Sequence, residues 1–244
     1  NPTENHPVIG ARIKRAARNG ACLIVIDPRR TELAEMAALH VAPRPGGNIP
    51  LLNAMAGVIV RERWIDEAFV SARVADFDAF RDFIAAWTPE FASPLCGVPP
   101  AVIREAARLY ATHTPSLMMH GLGVTEHVQG TDAVMCLANL ALLTGNVGTP
   151  GAGCNPLRGQ NNVQGASDMG GLPNVYTAYQ PVTSPDVIEK FAKAWGLDYG
   201  PKTMDDGQSF KVNRLSNKVG LTVTEMIPGI LEDKIDALYI LGED

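Results

Sequence analysis

Apolar and polar residues follow two patterns along the first half of the chain. Between Pro7 and Gly20, apolar side chains recur with helical spacing and basic residues lie between them, which predicts an amphipathic helix. Cys22 to Ile26 is then an unbroken apolar run of strand length, which is typical of a strand covered on both faces. A helix that leads into a buried strand is the repeating unit of an α/β fold.

The same alternation continues as far as Gly145. Helices are predicted at Thr31–His40, Pro50–Arg63, Trp64–Ser71, Pro100–Thr112 and Ala133–Thr144. Strands are predicted at His40–Ala42 and Ser116–Met119. The pattern therefore predicts a Rossmann-like three-layer α/β sandwich with a mainly parallel sheet.

Between Gly145 and Pro181 the composition changes, because this segment holds eight glycines, four prolines and five asparagines. It predicts a long loop without regular structure, and such loops are usually functional. Beyond it the sequence predicts helices at Pro185–Trp195 and Thr222–Leu231, a loop over Pro201–Asn213, and a buried strand at Ala237–Leu241. We expect a first α/β domain at residues 1–160 and part of a second, related one at residues 161–244.

Composition then narrows the functional classes. The 244 residues carry 21 basic and 26 acidic side chains, a net charge of −5, and 46% of them are hydrophobic. A chain of this kind buries a sizeable core. Since Lys and Arg form no cluster, nucleic acid and anionic membrane surfaces are not predicted partners. No apolar run approaches the roughly 18 to 20 residues that span a bilayer.

Cysteine and histidine positions give no metal site. Cys22, Cys96, Cys136 and Cys154 lie too far apart in sequence for a CxxC pair or an iron–sulfur spacing. The five histidines include neither an HExxH motif nor a pair four positions apart. We predict free thiols, no metal ligand in this chain, and a cytoplasmic location, with a periplasmic parent protein as the open alternative.

Two short motifs follow predicted strands. Asp27 and Arg29 come directly after the first strand, at the edge where open α/β sheets bind ligands, and their side chains suit ribose or guanine hydroxyl and amine groups and phosphate. A solvated turn fits these residues equally well. Gly121-Leu122-Gly123 follows another strand, but Glu126 stands where the dinucleotide fingerprint has its third glycine.

The segment from Asn155 to Gly165 has the most specific composition. Arg158 offers a planar guanidinium for a small carboxylate, and it lies among carboxamides that orient a ligand without adding charge. These are Gln160, Asn161, Asn162 and Gln164. Ordering so many long side chains costs rotamer entropy, which favours a binding loop over a capped surface loop.

With these residues the chain resembles, over essentially its whole length, the catalytic alpha subunit of molybdenum- or tungsten-dependent formate dehydrogenases, in the molybdopterin oxidoreductase superfamily. The matching motifs are Asn1–Pro7, Ile26–Arg29, Gly47–Asn53, His120–Val124, Leu142–Asn146, Asn155–Gly165, Asp168–Gly170 and Leu241–Asp244. The run Arg-Gly-Gln-Asn-Asn-Val-Gln-Gly that begins at Arg158 is the part that points to formate dehydrogenase.

The resemblance implies two molybdopterin guanine dinucleotides that clasp one Mo or W atom between two related α/β domains. It implies C–H cleavage of formate at a sulfido ligand of the metal, which yields CO2, a proton and two electrons. Arg158 is implied to hold the formate carboxylate, with Gln160 beside it. The residues implied for one guanosine and phosphate site are Asn1, Glu4, Asn5, Asp27, Arg29, Gly47 and Asn48. Those implied along the pterin path are Gly121, Leu122 and Gly123.

The resemblance also implies parts that these residues do not include. In the family, the Cys or selenocysteine metal ligand, its neighbouring His and a 4Fe-4S cluster precede the point that matches Asn1, and a C-terminal pterin-binding domain follows the point that matches Asp244. We therefore expect a central fragment that is inactive alone. Its parent is expected to pass electrons to iron–sulfur, diaphorase or other electron-transfer subunits.

Two further interpretations stay open on the sequence. One is another molybdopterin oxidoreductase with a different small substrate, for which replacement of Arg158 leaves formate turnover unaffected. The other is a stand-alone nucleotide-binding or assembly module, which binds a guanine nucleotide without doing chemistry.

Overall fold

A computed structural model describes residues 1–160, 162–197, 201–203, 209–211 and 215–240. The chain divides into two compact units, Asn1–Gly159 and Gln160–Asp244. The boundary predicted from the sequence lies between residues 160 and 161.

Helices and short strands alternate along the first unit. Its helices are α1 (Pro2–Asn5), α2 (Pro7–Arg18), α3 (Glu32–Glu35), α4 (Asn48–Arg61), α5 (Glu67–Arg73), α6 (Phe77–Ile84), α7 (Pro89–Cys96), α8 (Pro100–Thr112), α9 (Leu122–Thr125) and α10 (Gly130–Leu143). Its strands are β1 (Ile24–Ile26), β2 (Leu39–Val41), β3 (Leu117–His120) and β4 (Gly153–Pro156). Helices together with parallel strand pairs confirm the predicted α/β class.

Helix α4 lies at the centre of the core of this unit. All residues from Leu51 to Ile59 are buried, and the helix packs against α7, α8 and α10. Gly57 lets the α4 backbone lie close to the backbone at Trp87, because a Cβ there would lie 2.5 Å from the Trp87 carbonyl oxygen. An α-helix that is apolar on all sides is stable only when it is surrounded in this way.

The four strands of the first unit form two separate parallel pairs. β1 pairs with β2 in the register Ile24 to Leu39, and β3 pairs with β4 in the register Leu117 to Gly153. Ile24, Leu39, Met118 and Cys154 all pack against the same core. Asp27 directly follows β1 and therefore lies at the carboxyl edge of the β1–β2 pair. Gly121 directly follows β3 and lies at the carboxyl edge of the β3–β4 pair.

A buried amide fixes the turn that leads from α10 toward β4. Asn146 is 2% exposed, its Oδ1 accepts a hydrogen bond from the Ser116 amide at 2.8 Å, and its Nδ2 donates to Thr144 Oγ1 at 2.8 Å. The Thr144 hydroxyl in turn donates to the Leu140 carbonyl at 2.8 Å. This network joins the end of α10 to the start of β3, so the Leu142–Asn146 motif has a structural role.

The second unit has shorter elements. They are α11 (Val163–Asp168), β5 (Val175–Tyr176), a 3-10 turn (Thr177–Tyr179), β6 (Gln180–Pro181), α12 (Pro185–Ala194), β7 (Pro201–Thr203), β8 (Ser209–Lys211) and α13 (Val223–Leu231). The β5–β6 and β7–β8 pairs are antiparallel. Tyr176 stacks on Phe191 with ring centroids 4.8 Å apart, and Trp195 lies 5.2 Å from Phe191, so an aromatic cluster packs α12 on β5.

Several predicted elements were wrong. The segment 145–181 is not a structureless loop, since it contains β4, α11, β5 and β6, each short enough to fit between its glycines and prolines. The predicted helix Thr31–His40 is confined to Glu32–Glu35, because Leu39 and His40 pair with β1. The predicted loop Pro201–Asn213 contains the backbone of β7 and β8.

The predicted buried strand at Ala237–Leu241 is also not formed over its described part. Residues 237–240 have no strand partner among the described residues, and Tyr239 and Ile240 are 89% and 64% exposed. An apolar run becomes a strand only when a neighbour takes up its backbone hydrogen bonds. Leu241 lies outside the described residues.

The core of the first unit makes a stability prediction. Leu140 on α10 is 1% exposed and Met135 on the same helix is 52% exposed. Leu140→Ala leaves a cavity and is expected to lower the free energy of unfolding by about 2–5 kcal/mol. Met135→Ala, the matched control, is expected to cost less than about 1 kcal/mol. Urea denaturation followed by circular dichroism measures both, and equal losses would contradict the assignment of α10 to the core.

Candidate functional site

The first group of candidate residues follows β1. Asp27 Oδ1 accepts a hydrogen bond from the Arg29 amide at 2.8 Å, and the Arg29 Nε lies 3.8 Å from the same oxygen. The Asp27 side chain is 20% exposed and that of Arg29 is 65% exposed. The carboxylate therefore fixes the turn, while the guanidinium extends into solvent where an anion can reach it.

An open cavity of about 360 Å³ lies beside this turn and includes three candidate residues. It is lined by Asn1, Thr3, Glu4, Arg29, Arg30, Thr31 and Glu32. The Asn1 side chain caps α1 by accepting from the Thr3 amide and hydroxyl at 3.3 and 2.6 Å. The cavity thus combines two guanidinium groups with carboxylate and amide oxygens. Asn5 is exposed and Asp27 is partly buried, and neither lines it.

Gly47 and Asn48 lie elsewhere, at the start of α4. A Cβ on Gly47 would stand 2.8 Å from Cys96 Cα, so packing excludes a side chain at this buried position. Asn48 Nδ2 donates to the carbonyl oxygen of Gly123 at 3.1 Å. The structure therefore brings Asn48 to the glycine loop, and neither residue lines the cavity beside Asn1.

The glycine loop follows β3. Gly121 precedes α9, the Leu122 side chain is 57% exposed, and a Cβ on Gly123 would meet no atom within 4 Å. The Gly123 carbonyl accepts from His127 Nε2 at 3.1 Å in addition to Asn48. A loop with one open face and a fixed backbone can lie flat against a ring system.

Arg158 lies just beyond β4, beside the glycine loop in the parallel pair. The Leu157 amide donates to the His120 carbonyl at 2.7 Å, and His6 Nε2 donates to the Arg158 carbonyl at 2.6 Å. The backbone on either side of the Leu157–Arg158 peptide is therefore tethered. The side chain of Arg158 is exposed.

The remaining motif residues belong to the second unit. Gln160 is exposed and its carbonyl accepts from the Val163 amide at 3.5 Å, while Asn161 lies outside the described residues. Gln164 Nε2 donates to Asp168 Oδ1 and to Tyr179 Oη, both at 2.9 Å. These bonds hold α11 against the turn that contains Tyr179.

His120 is the titratable group whose protonation this arrangement controls. Its Nδ1 is buried and makes no hydrogen bond of normal geometry among the described residues. Burial lowers the pKa of His120, the adjacent Gly121 backbone opposes this, and the Arg158 guanidinium lowers the pKa further. The imidazole is therefore kept neutral beside the candidate carboxylate-binding cation.

Sequence reasoning gave His6 no role of its own. It noted that His120 and His127 flank the glycine loop and could touch a ligand, but favoured a core or surface role for both. His6 lies inside the Asn1–Pro7 motif, which marked its segment, but its partner is 152 positions away. His120 directly precedes the glycine loop, and that adjacency was the available signal.

The whole chain, residues 1–244, matches the molybdopterin oxidoreductase family. The chain belongs to this family. Formate dehydrogenase H of Escherichia coli (strain K12) is 43% identical over 244 residues, which are 100% of this molybdopterin oxidoreductase chain and 32% of that protein. The F420-dependent formate dehydrogenase subunit alpha of Methanocaldococcus jannaschii is also 43% identical over 100% of the chain and 33% of that protein.

One of the more distant relatives carries a broader name. The probable oxidoreductase YjgC of Bacillus subtilis is 36% identical over 245 residues, 100% of the chain and 23% of that protein. Among solved structures, acetylene hydratase from Pelobacter acetylenicus matches with a TM-score of 0.57 and 26% identity, over 58% of this chain and 20% of that one. The chain spans about a third of the length of the two formate dehydrogenases.

The described residues contain neither a membrane-spanning helix nor a cluster of metal ligands. No helix in these ranges is long and apolar enough to cross a membrane. No group of three or more His, Cys, Asp and Glu side chains in them is placed to hold a metal ion.

The charge of Arg158 near His120 makes a testable electrostatic prediction. Arg158→Gln removes a cation that opposes protonation of the imidazole, so the pKa of His120 is expected to rise. NMR titration of the protein with labelled histidine measures this pKa. Arg104→Gln, which removes a guanidinium paired with Glu90 instead, is the matched control and is expected to leave it unchanged. A His120 pKa that stays the same in Arg158→Gln would show that the two groups do not interact.

Proposed function

We propose that this chain carries the formate-binding part of a molybdenum- or tungsten-dependent formate dehydrogenase, which oxidises formate to CO2. The observation that carries the proposal is Arg158, held by two backbone tethers at the carboxyl edge of β3 and β4 within the Arg158–Gly165 run. Ligands of open α/β sheets bind at this edge. The names of the relatives at 43% identity support the same reaction.

The chemistry of Arg158 suits formate. A guanidinium donates two parallel hydrogen bonds to a carboxylate, which fixes both oxygens and points the C–H bond away from the cation. Oxidation breaks that C–H bond and releases CO2, one proton and two electrons. A bound Mo or W centre would accept the two electrons. Gln160, the neutral amide two positions along the chain, orients the substrate without competing for its charge.

We also propose that the cavity beside Asn1 holds the guanosine and phosphate end of a molybdopterin guanine dinucleotide. Its volume of about 360 Å³ falls in the range of about 300–1,000 Å³ that is usual for ligand sites. Arg29 and Arg30 suit the phosphates, and the Glu4 carboxylate suits the donor edge of guanine. Asn5, Asp27, Gly47 and Asn48 stay proposed members of the site on the resemblance alone, since none of them lines the cavity.

The open face of Gly121, Leu122 and Gly123 is the proposed path of the pterin. The exposed Leu122 side chain gives an apolar contact for a flat ring, and the space above Gly123 admits one closely. Relatives named as alpha subunits support electron-transfer subunits as partners.

A different small substrate is the second candidate. The observation that favours it is the likeness to acetylene hydratase, which has the same fold and a name that specifies another reaction. Fold does not determine function, so the choice rests on Arg158.

Replacement of Arg158 decides between these two functions. In the cofactor-loaded enzyme, Arg158→Gln removes both charge and bidentate geometry, and kcat/KM for formate is expected to fall at least about 100-fold. Arg108→Gln, on the exposed face of α8 and paired with Glu105, is the control and is expected to retain wild-type turnover. Steady-state formate oxidation with an artificial electron acceptor measures both. Unchanged formate turnover in Arg158→Gln would exclude formate as the substrate that this arginine binds.

The nucleotide cavity is tested separately, with this chain and GDP. Isothermal titration is expected to show binding that weakens about tenfold or more in Arg29→Ala, because a hydrogen bond to a charged group contributes about 1.5–3 kcal/mol. Arg15→Ala on α2 is the matched control. Equal affinity for GDP in wild type and Arg29→Ala would show that the phosphates do not bind in this cavity.

A further inference from the structure

We infer that His6 is a positioning residue for Arg158, because its ring holds the Arg158 backbone and so fixes where the guanidinium starts. The inference rests on the proposed function, in which Arg158 binds the substrate carboxylate. His6 lies 152 positions before Arg158 in the sequence, so the inference adds a distant residue to those that orient the substrate.

The contact itself is a single hydrogen bond. His6 Nε2 lies 2.6 Å from the carbonyl oxygen of Arg158. A carbonyl oxygen only accepts, so Nε2 carries the hydrogen and donates it. Both the neutral Nε2–H form and the imidazolium provide this donor. The bond therefore persists whichever charge the His6 ring carries.

His6 is well suited to hold a loop because its own backbone is fixed. It lies at the corner between α1 and α2, where its amide donates to the Pro2 carbonyl at 3.0 Å and its carbonyl accepts from the Gly10 amide at 2.8 Å. A Cβ on Gly10 would lie 3.0 Å from both the Pro2 oxygen and Thr3 Cα. The two helices thus pack in close backbone contact, and the ring of His6 projects from a corner with little freedom.

The loop that carries Arg158 needs such a support. Its other tether, the Leu157 amide on the His120 carbonyl at 2.7 Å, acts one residue earlier. The next residue is Gly159, where a Cβ would meet no atom within 4 Å, so no neighbour packs against that side of the loop. The His6 bond holds the peptide group between Arg158 and Gly159 by its carbonyl oxygen.

The place of this bond argues for a positioning role over a stabilising one. The bond is exposed, and neither His6 nor Arg158 belongs to the core cluster around α4. Exposed hydrogen bonds replace equally good bonds to water and add little to folding stability. A short bond across 152 positions at the proposed substrate arginine has its effect on geometry instead.

The test compares His6→Leu with His6→Gln in the cofactor-loaded enzyme. His6→Leu removes the donor, and we expect KM for formate to rise about tenfold with a smaller change in kcat, since misplacement of an orienting group weakens its hold on substrate. His6→Gln keeps an N–H donor and is expected to recover most of the wild-type KM. His113→Leu, which removes a histidine bond to the Leu109 carbonyl at the end of α8, is the matched control and is expected to leave KM unchanged.

A double-mutant cycle separates this inference from the proposed function. If His6 acts through Arg158, His6→Leu added to Arg158→Gln has no further effect on KM. A wild-type KM in Arg158→Gln would reject the proposed function. A raised KM in Arg158→Gln together with a wild-type KM in His6→Leu would reject only the role of His6.

Hydrogen exchange gives a readout that does not depend on turnover. In His6→Leu, the Leu157 amide, which donates to the His120 carbonyl in the same loop, is expected to exchange at least five times faster than in wild type, with residues 51–59 of α4 unchanged. Acceleration throughout the first unit would instead assign His6 a general structural role and overturn the inference. Exchange of the Leu157 amide at the wild-type rate would overturn it as well.

Discussion

The burial of α4 is the constraint on which the first unit depends. Residues from Leu51 to Ile59 are enclosed on all sides, and Gly57 brings the helix backbone into contact with the Trp87 carbonyl. A helix fixed so tightly has a fixed beginning. Gly47 has no room for a side chain, and Asn48 donates to the Gly123 carbonyl. The packing of α4 therefore fixes the position of the glycine loop. The candidate site is rigid where it meets the core.

The sequence predicted those elements whose local signals agree with their environment. Helix α8 has the predicted bounds Pro100–Thr112, because proline at its first position and a regular apolar stripe both favour the same helix. The prediction failed where pairing with distant residues competed. The predicted helix Thr31–His40 extended too far, because Leu39 and His40 pair with β1, while the predicted strand His40–Ala42 overlaps β2. Local propensity does not show where a helix gives way to a strand that needs a distant partner.

In the candidate site, too, local sequence signals were predictable and contacts between distant residues were not. Asp27, Arg29 and the glycine loop could be found from the sequence because each directly follows a strand, and Arg158 because its surroundings are rich in amides. The separation of Asn48 from the cavity beside Asn1 could not, since it depends on where α4 begins relative to Gly123. His6 and Arg158 are 152 positions apart, and neither periodicity nor composition indicates the hydrogen bond between them.

A common device links these loops. His40 Nε2 donates to the Asp27 carbonyl at 2.9 Å, His127 Nε2 to the Gly123 carbonyl at 3.1 Å, and His6 Nε2 to the Arg158 carbonyl at 2.6 Å. Each bond needs only an N–H on Nε2, which imidazole in that tautomer and imidazolium both provide. A carboxylate in the same position would repel the carbonyl, and a lysine would add charge on a flexible stem. Histidine therefore holds the backbone of all three loops without adding a carboxylate or a flexible cation to them.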